Sequence, residues 1–232
     1  MSLVKYGGGI VQMSGKIAGN VFARNRYGNY VRSWTKPVNG QSEFQTIVRG
    51  ILSYLSERWS SVLTPAQRLS WDNYAESVSM LNRLGESIKL SGMNHYIRSN
   101  SSLLQAGLTE VTDGPTVLEL PETDPTIECS ISEADQEISV AFDVLLPWVK
   151  ESGAGMIISM GIPISPSRVF FGGPYRYADT ILGVDSTGAE SPAVVACPFV
   201  ATETQKVVVR AKIVRLDGRV SNYFRNELLV EA

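Results

Sequence analysis

The spacing of apolar residues changes along the chain, and this change constrains the fold more than any other sequence feature. Between residues 42 and 107 apolar residues recur every three or four positions, which is the period of an amphipathic helix. After Gly114-Pro115 they occur in short β-branched or aromatic runs separated by Gly, Pro, Asp and Ser, which is typical of strands. Because the two patterns occupy separate parts of the chain, the sequence predicts an α+β fold.

Three helices are predicted from the helical pattern. The first covers residues 42–63. Residues 64–67, Thr-Pro-Ala-Gln, predict the start of the second helix, because threonine can cap it, proline suits its first position and glutamine can complete a capping box. We expect this helix to continue to Leu81. The third is expected to open near Ser91 and to end at Gly107, a residue type common just after a helix.

Seven strands are predicted beyond residue 113, a number typical of an immunoglobulin-like or fibronectin-like sandwich. They are expected at residues 126–131, 137–145, 155–160, 180–184, 193–200, 205–214 and 219–224. A hairpin turn is expected at residues 216–219. The segment 161–177 is longer than a sandwich turn requires and predicts a contact loop. Its candidate contact residues are Phe170, Phe171, Tyr175 and Tyr177.

The N-terminal region is expected to form a β-hairpin with a basic tip. Residues 1–15 predict a flexible lead-in, and residues 16–33 alternate apolar with polar or basic side chains. Asn and Gly near residue 28 suit a tight turn. The expected division is therefore a basic arm with a β-hairpin at 1–40, a segment of about three helices at 41–112 and a β-sandwich domain at 113–232.

The charges are distributed unevenly along the chain, although its net charge is only −2. Residues 1–40 contain six basic residues and no acidic one, residues 41–112 contain six of each, and residues 113–232 contain nine basic and seventeen acidic residues. This polarity indicates a basic arm that binds an acidic surface.

The arm supplies the candidate partner-binding residues, in which arginine forks alternate with aromatic rings. They are Lys16, Arg24, Arg26, Tyr27, Tyr30, Arg32, Trp34 and Lys36. Such a set can bind phosphates and stack on bases. It can also pack its aromatic face on the helices while its basic edge stays solvated, or reach an acidic region of an adjacent protomer. The sequence leaves these three alternatives open.

Catalytic signals are weak throughout the sequence. His95 is the single histidine and is expected to be a packing or hydrogen-bonding residue, and no nucleophile elbow, HExxH or phosphate-binding loop occurs. We therefore expect no enzyme activity, catalytic residue, cofactor or metal site. Cys129 and Cys197 are expected to be reduced and packed, although a disulfide between them stays open. No apolar run is long enough to predict a membrane span.

Ordered segments of the first half resemble a little-characterised family of structural proteins encoded in tailed-bacteriophage and prophage genomes. The resemblance covers about residues 14–107 and lies in SGKIAGNVF at 14–22, RNRYGNYVR at 24–32, KPVN at 36–39, Trp59, LTPAQR at 63–68, Trp71, Tyr74-Ala75, NRLG at 82–85 and GMNHYIRSN at 92–100. It implies a virion structural protein of the head, connector or tail, made in the bacterial host cytoplasm.

This resemblance implies many copies in each particle, with a homo-oligomer and other virion subunits as partners and no membrane. The basic arm and the helices would anchor each copy to its neighbours. The alternative is a nucleic-acid-binding accessory protein that contacts DNA through the same arm.

Overall fold

The computed structural model describes residues 2–82 and 84–232 and has a mixed α+β fold. Arg83, which belongs to the NRLG motif, lies outside the described residues. The helices are α1 (Glu43–Ser61), α2 (Pro65–Ser77), α3 (Gly92–Gln105) and a 3-10 helix (Pro147–Lys150). The strands are β1 (Ser2–Leu3), β2 (Gly15–Ile17), β3 (Asn20–Asn25), β4 (Gly28–Ser33), β5 (Ser79–Leu81), β6 (Ser87–Lys89), β7 (Glu128–Ser132), β8 (Glu137–Ala141), β9 (Gly155–Gly161), β10 (Tyr175–Leu182), β11 (Ala193–Ala196), β12 (Lys206–Val214) and β13 (Phe224–Leu229).

The chain forms two compact units. The first contains the chain up to Gly50 together with Ser79–Leu90, and the second contains Ile51–Val78 and Ser91–Ala232. The boundary therefore falls inside α1, so each unit includes part of the region expected to be helical. The division at residues 40 and 112 stays a prediction about the domains.

The first unit contains a four-stranded antiparallel sheet in the order β1-β4-β3-β2. Phe22 pairs with Val31 across the central hairpin, and the Asn25 side chain accepts a 2.9 Å hydrogen bond from the Tyr27 amide in its turn. Gly28 follows with a φ of 122°, which favours glycine. The lead-in expected at residues 1–15 thus contributes β1 and the start of β2 to a sheet.

A second, small hairpin in this unit corrects the predicted end of the second helix. We expected α2 to reach Leu81, but it ends at Ser77 and β5 begins at Ser79. The Asn82 carboxamide oxygen accepts hydrogen bonds from the amides of Leu84 and Glu86 at 2.8 and 3.0 Å. This side-chain turn joins β5 to β6 and competes successfully with helix propagation.

The capping signals of the second and third helices are confirmed. The Thr64 hydroxyl accepts from the Gln67 amide at 3.3 Å, while the Gln67 side chain accepts from the Thr64 amide at 3.0 Å, which completes a capping box. Ser91 caps α3, and Gly107 follows it with a φ of 73°. The Tyr96 ring packs between Trp59 and Trp71, at centroid distances of 5.5 and 5.7 Å.

The second unit also contains a sheet in the order β10-β9-β12-β13 and another in the order β11-β8-β7. Both sheets contribute to one buried cluster, which includes Ile138 and Val140 of one sheet and Met156 and Val209 of the other. Trp148, in the 3-10 helix, is buried in the same cluster. Strands β7 to β12 overlap six of the seven expected runs.

The last expected strand, at residues 219–224, is wrong, because β13 begins only at Phe224. Val220 makes an isolated bridge to Val214, and the guanidinium of Arg98 donates to the carbonyls of Val220 and Ser221 at 2.8 and 2.7 Å. These bonds hold the segment as a loop rather than as part of the ladder.

The structure also bears on the two cysteines, on metal binding and on membrane-spanning helices. Cys129 and Cys197 are both free, and burial raises the pKa of their thiols to about 12 and about 11. In residues 2–82 and 84–232, no group of three or more His, Cys, Asp or Glu side chains could hold a metal ion. Over the same residues, no helix is both long and apolar enough to cross a membrane.

Candidate partner-binding surfaces

The eight candidate residues of the arm lie on or beside the four-stranded sheet of the first unit. Their positions are Lys16 in β2, Arg24 in β3, Arg26 and Tyr27 in the turn after β3, Tyr30 and Arg32 in β4, and Trp34 and Lys36 beyond β4. The basic side chains and Trp34 are exposed, whereas the two tyrosines are half-buried. The charges of the arm are therefore open to solvent.

The strand register separates the arm's basic residues between the two faces of the sheet. Lys16 pairs with Val21, which pairs with Arg32, so these three side chains share one face. Arg24 is an odd number of residues from Val21 and lies on the opposite face. The Trp34 ring joins the first face, because the Lys16 Nζ lies 5.3 Å from its centroid.

Arg24 and the turn residues have different surroundings. The Arg24 guanidinium donates a 3.3 Å hydrogen bond to the side-chain oxygen of Gln12. Tyr27 lines an open cavity of about 480 Å³ within the first unit, whose wall also includes Ile10 and Leu84. An ion pair between Lys5 and Glu86 lies at this cavity and holds the pKa of the glutamate below its usual range.

The first half of α1 has an exposed apolar face. The helical period predicted this face but did not predict that it would be exposed. Phe44, Ile47, Val48 and Leu52 lie along one side of the helix and are 57%, 51%, 58% and 49% exposed. Leu55, on the same side, is fully buried. Phe44, Ile47 and Val48 are thus exposed apolar residues of the first unit, whereas Leu55 is a core residue of the second.

The predicted contact loop divides into exposed and buried residues. Phe170 is 75% exposed, whereas Phe171 is buried against Ile164 and Val208. Tyr175 and Tyr177, which we expected in the loop, belong to β10. The Tyr175 ring packs edge-on against Phe171 at 5.2 Å, and the Tyr177 hydroxyl lies 3.0 Å from the Thr180 hydroxyl. Phe170 is therefore the member of this set that is open to a partner.

His95 is enclosed in the helical part of the second unit. Its ring is fully buried and packs edge-on against Tyr74 at 5.1 Å, and neither ring nitrogen has a hydrogen-bond partner among the described residues. Burial and the nearby charge of Arg98 lower the pKa of His95 to about 4. The imidazole is therefore neutral near pH 7 and is placed as a packing residue.

Glu110 organises a polar network that sequence reasoning missed. Its carboxylate accepts hydrogen bonds from Arg58 Nε at 2.8 Å, from the Tyr54 hydroxyl at 3.1 Å and from the Tyr96 hydroxyl at 2.5 Å. Burial alone would raise the pKa of Glu110, but these three donors hold it below its usual range. The network links the second half of α1 to α3, and no local spacing in the sequence joins its members.

Comparison with protein-family models, with curated proteins and with solved structures gives no match for this chain. The two features that the structure makes available are the exposed Lys16, Arg32 and Trp34 face and the uncovered apolar side of α1.

Proposed function

We propose that this chain is a structural protein of a tailed-bacteriophage virion, a head, connector or tail component that assembles in many copies through its basic arm and helices. The observation that carries the proposal is the burial pattern of the N-terminal region. No residue from Ser2 to Tyr54 is buried, although this segment includes the apolar residues Ile17, Trp34, Phe44 and Ile47. The resemblance of residues 14–107 to phage structural proteins supports the same function.

The burial pattern supports assembly for an energetic reason. Ordering the backbone of one residue costs about 1–2 kcal/mol, and folding offsets this cost mainly by burying apolar surface at about 25 cal/mol per Å². The segment from Ser2 to Tyr54 includes four strands but no buried side chain. We infer that a neighbouring chain covers its apolar surfaces in the functional state.

The charge distribution supports a second copy as that neighbour. The first forty residues have six basic residues and no acidic one, whereas residues 113–149 include nine acidic residues and no basic one. Strands β7 and β8 lie within this acidic stretch and include the exposed Glu128 and Glu137. Arginine and lysine side chains on the arm of one copy can bind carboxylates of this kind on the next.

We further propose that the two sheets of the second unit form an immunoglobulin-like or fibronectin-like sandwich. Three antiparallel hairpins support it: β7 with β8, β9 with β10, and β12 with β13. Strand β12 also pairs with β9, and between β10 and β12 the chain crosses to the other sheet, where β11 pairs with β8, as in a Greek key. The shared buried cluster is what two such sheets form when packed face to face.

Nucleic-acid binding is the second candidate, and the Lys16, Arg32 and Trp34 face favours it. Two exposed cations beside an exposed indole can contact a phosphate backbone and stack on a base. Such binding would weaken steeply as salt increases, because bound cations release counterions from DNA.

The two candidates can be separated by the mass of the purified chain. Light scattering is measured at low and high salt, with and without single-stranded DNA, on wild type and on Ile47→Asp. Ser53→Asp is the matched control, because Ser53 is exposed and lies on the opposite side of α1 from the apolar stripe. Assembly predicts a defined DNA-free oligomer that Ile47→Asp dissociates and Ser53→Asp preserves.

A chain that is monomeric under every DNA-free condition contradicts the assembly proposal. If that monomer binds DNA at low salt and releases it at high salt, the second candidate replaces it. Arg32→Glu should then abolish binding, while Arg24→Glu, on the opposite face of the sheet, should weaken it less.

A further inference from the structure

Arg210 occupies an unusual position on the outer face of the sheet that contains β9 and β12. Its guanidinium lies between two tyrosine rings, 4.1 Å from the centroid of Tyr175 and 4.4 Å from that of Tyr223. The neighbouring strands place Ser159 on one side of Arg210 and Arg225 on the other. The two rings fix the orientation of the planar cation in a way that favours two-point contact with an anion.

The guanidinium has no anionic or hydrogen-bonding partner within residues 2–82 and 84–232. Its Nε is buried without an acceptor, and no ion pair involves Arg210. Glu227, the acidic residue of the adjacent strand, is already paired with Lys206 and Arg225. The donors of Arg210 are therefore left to an acceptor from outside the described chain.

Two further cations lie near Arg210. Lys212 is two residues along β12, with its Nζ 5.4 Å from the Tyr223 ring and 2.7 Å from the Ser102 hydroxyl. Arg98, on α3, donates to the carbonyls of Val220 and Ser221, which precede Tyr223 by three and two residues. Neither cation forms an ion pair among the described residues.

The grouping of these cations is electrostatically unfavourable as it stands. Burial, together with the positive charges of Arg98 and Arg210, lowers the pKa of Lys212 to about 8. An anion bound among them would remove this repulsion and satisfy their free donors.

We propose that Arg210 and Lys212, with Tyr175 and Tyr223 as flanking walls and Arg98 as a supporting charge, form a binding site for an oxyanion, either a carboxylate or a phosphate group. Arg210 provides the planar donor pair, Lys212 provides a point charge, and the rings restrict access to the plane of the guanidinium. The site stands independently of the assembly proposed above.

The experiment uses the full chain and two probes, inorganic phosphate and a capped tetraglutamate peptide. Each is titrated at constant ionic strength while the ¹³Cε resonance of Lys212 is followed as a function of pH. Binding of either anion should raise the pKa of Lys212 by about 1 or more, because an opposite charge within contact distance favours the ammonium form. Saturation by phosphate alone or by the peptide alone identifies the source of the anion.

Arg210→Gln should weaken binding of the active probe about tenfold or more, as expected for loss of a charge-assisted hydrogen bond. Arg225→Gln is the matched control, because Arg225 lies opposite Arg210 in the register but is already paired with Glu227. The Arg225→Gln variant should bind the active probe with unchanged affinity. If Arg210→Gln fails to fold, Arg210→Lys provides the comparison, because lysine keeps the positive charge but lacks the planar donor pair and Lys212 stays as the reporter. No saturable binding of either probe, an unchanged Lys212 pKa, or equal losses in Arg210→Gln and Arg225→Gln would overturn the proposal.

Discussion

The two compact units contrast in where their apolar side chains lie. The second unit buries Trp148, Met156 and Val209 in one cluster shared by two sheets. In the first unit no described residue is buried, and apolar side chains such as Trp34 and Phe44 are more than half exposed. The difference indicates that the second unit is stabilised by its own core, whereas the first has no buried side chain among its described residues to stabilise it. Under the assembly proposal, another copy of the chain would cover the first unit.

The largest effect expected from this contrast comes from the core of the second unit. Trp148→Ala removes a side chain that is 1% exposed and packs at 5.1 Å against Phe142. It should lower the free energy of unfolding by about 3–5 kcal/mol, measured by urea denaturation. Phe44→Ala, at a position 57% exposed, should change it by about 0.5 kcal/mol or less in the isolated chain. If both variants lost similar amounts of unfolding free energy, the contrast between a buried core in the second unit and an exposed first unit would be wrong.

Between pH 7 and pH 5, a pH effect on stability is expected from His95 in the second unit. The folded-state pKa of His95 is lowered from 6.5 to about 4, so the unfolded chain binds a proton first as pH falls. The stability linked to His95 is complete above pH 6.5, decreases below it and is lost as pH falls through 4. Between pH 7 and pH 5 the expected loss is about 2 kcal/mol.

His95→Phe tests this linkage, because it keeps a ring beside Tyr74 but cannot titrate. The difference in unfolding free energy between pH 7 and pH 5 should become smaller in the variant by about the same 2 kcal/mol. Glu110 does not obscure the comparison above pH 5, because its lowered folded pKa makes its contribution disappear only as pH falls below 4.5. An unchanged pH dependence in His95→Phe would exclude the buried imidazole as the cause.

A smaller effect is expected at the start of α2. Thr64→Ala removes the hydroxyl that accepts from the Gln67 amide and should destabilise the second unit by about 1 kcal/mol. Thr64→Ser is the control, because serine preserves the acceptor and should stay within a few tenths of a kcal/mol of wild type. Thermal or urea denaturation measures both. Equal losses in the two variants would assign the effect to the methyl group instead of the cap.

Local signals account for the parts of this molecule that the sequence predicted well. The helical period and the capping residues located three helices, because helix ends are satisfied by side chains within four positions. The start of β13 was missed because Arg98 holds the preceding loop from 122 residues away. The β5–β6 hairpin was missed because the turn bonds of Asn82 leave no periodic pattern.

In the candidate surfaces, too, some features follow from the sequence and others depend on the fold. Composition identified the basic residues of the arm, but their separation into Lys16 with Arg32 on one face and Arg24 on the other depends on strand register. The Arg210 cluster was missed entirely. Tyr175, Arg210 and Tyr223 come from two strands and a loop, so their contact is set by the tertiary fold and no sequence interval predicts it.

The smallest expected effect on folding comes from an exposed tryptophan in the first unit. Trp34→Ala removes an indole that is 57% exposed and contacts Lys16 across 5.3 Å. An exposed cation-π contact of this kind contributes about 0.5–1 kcal/mol, so the unfolding free energy of the isolated chain should decrease by no more than that. Val200→Ala, at a position 79% exposed in the second unit, is the matched control for loss of exposed apolar surface.

In the assembled protein the order should change, because a tryptophan covered by a partner contributes about 2 kcal/mol or more to binding. Light scattering across a concentration series should then show Trp34→Ala dissociating at concentrations at which Val200→Ala and wild type stay assembled. Identical dissociation of all three would mean that the partner covers a different part of the first unit, and the apolar side of α1 would become the next surface to vary.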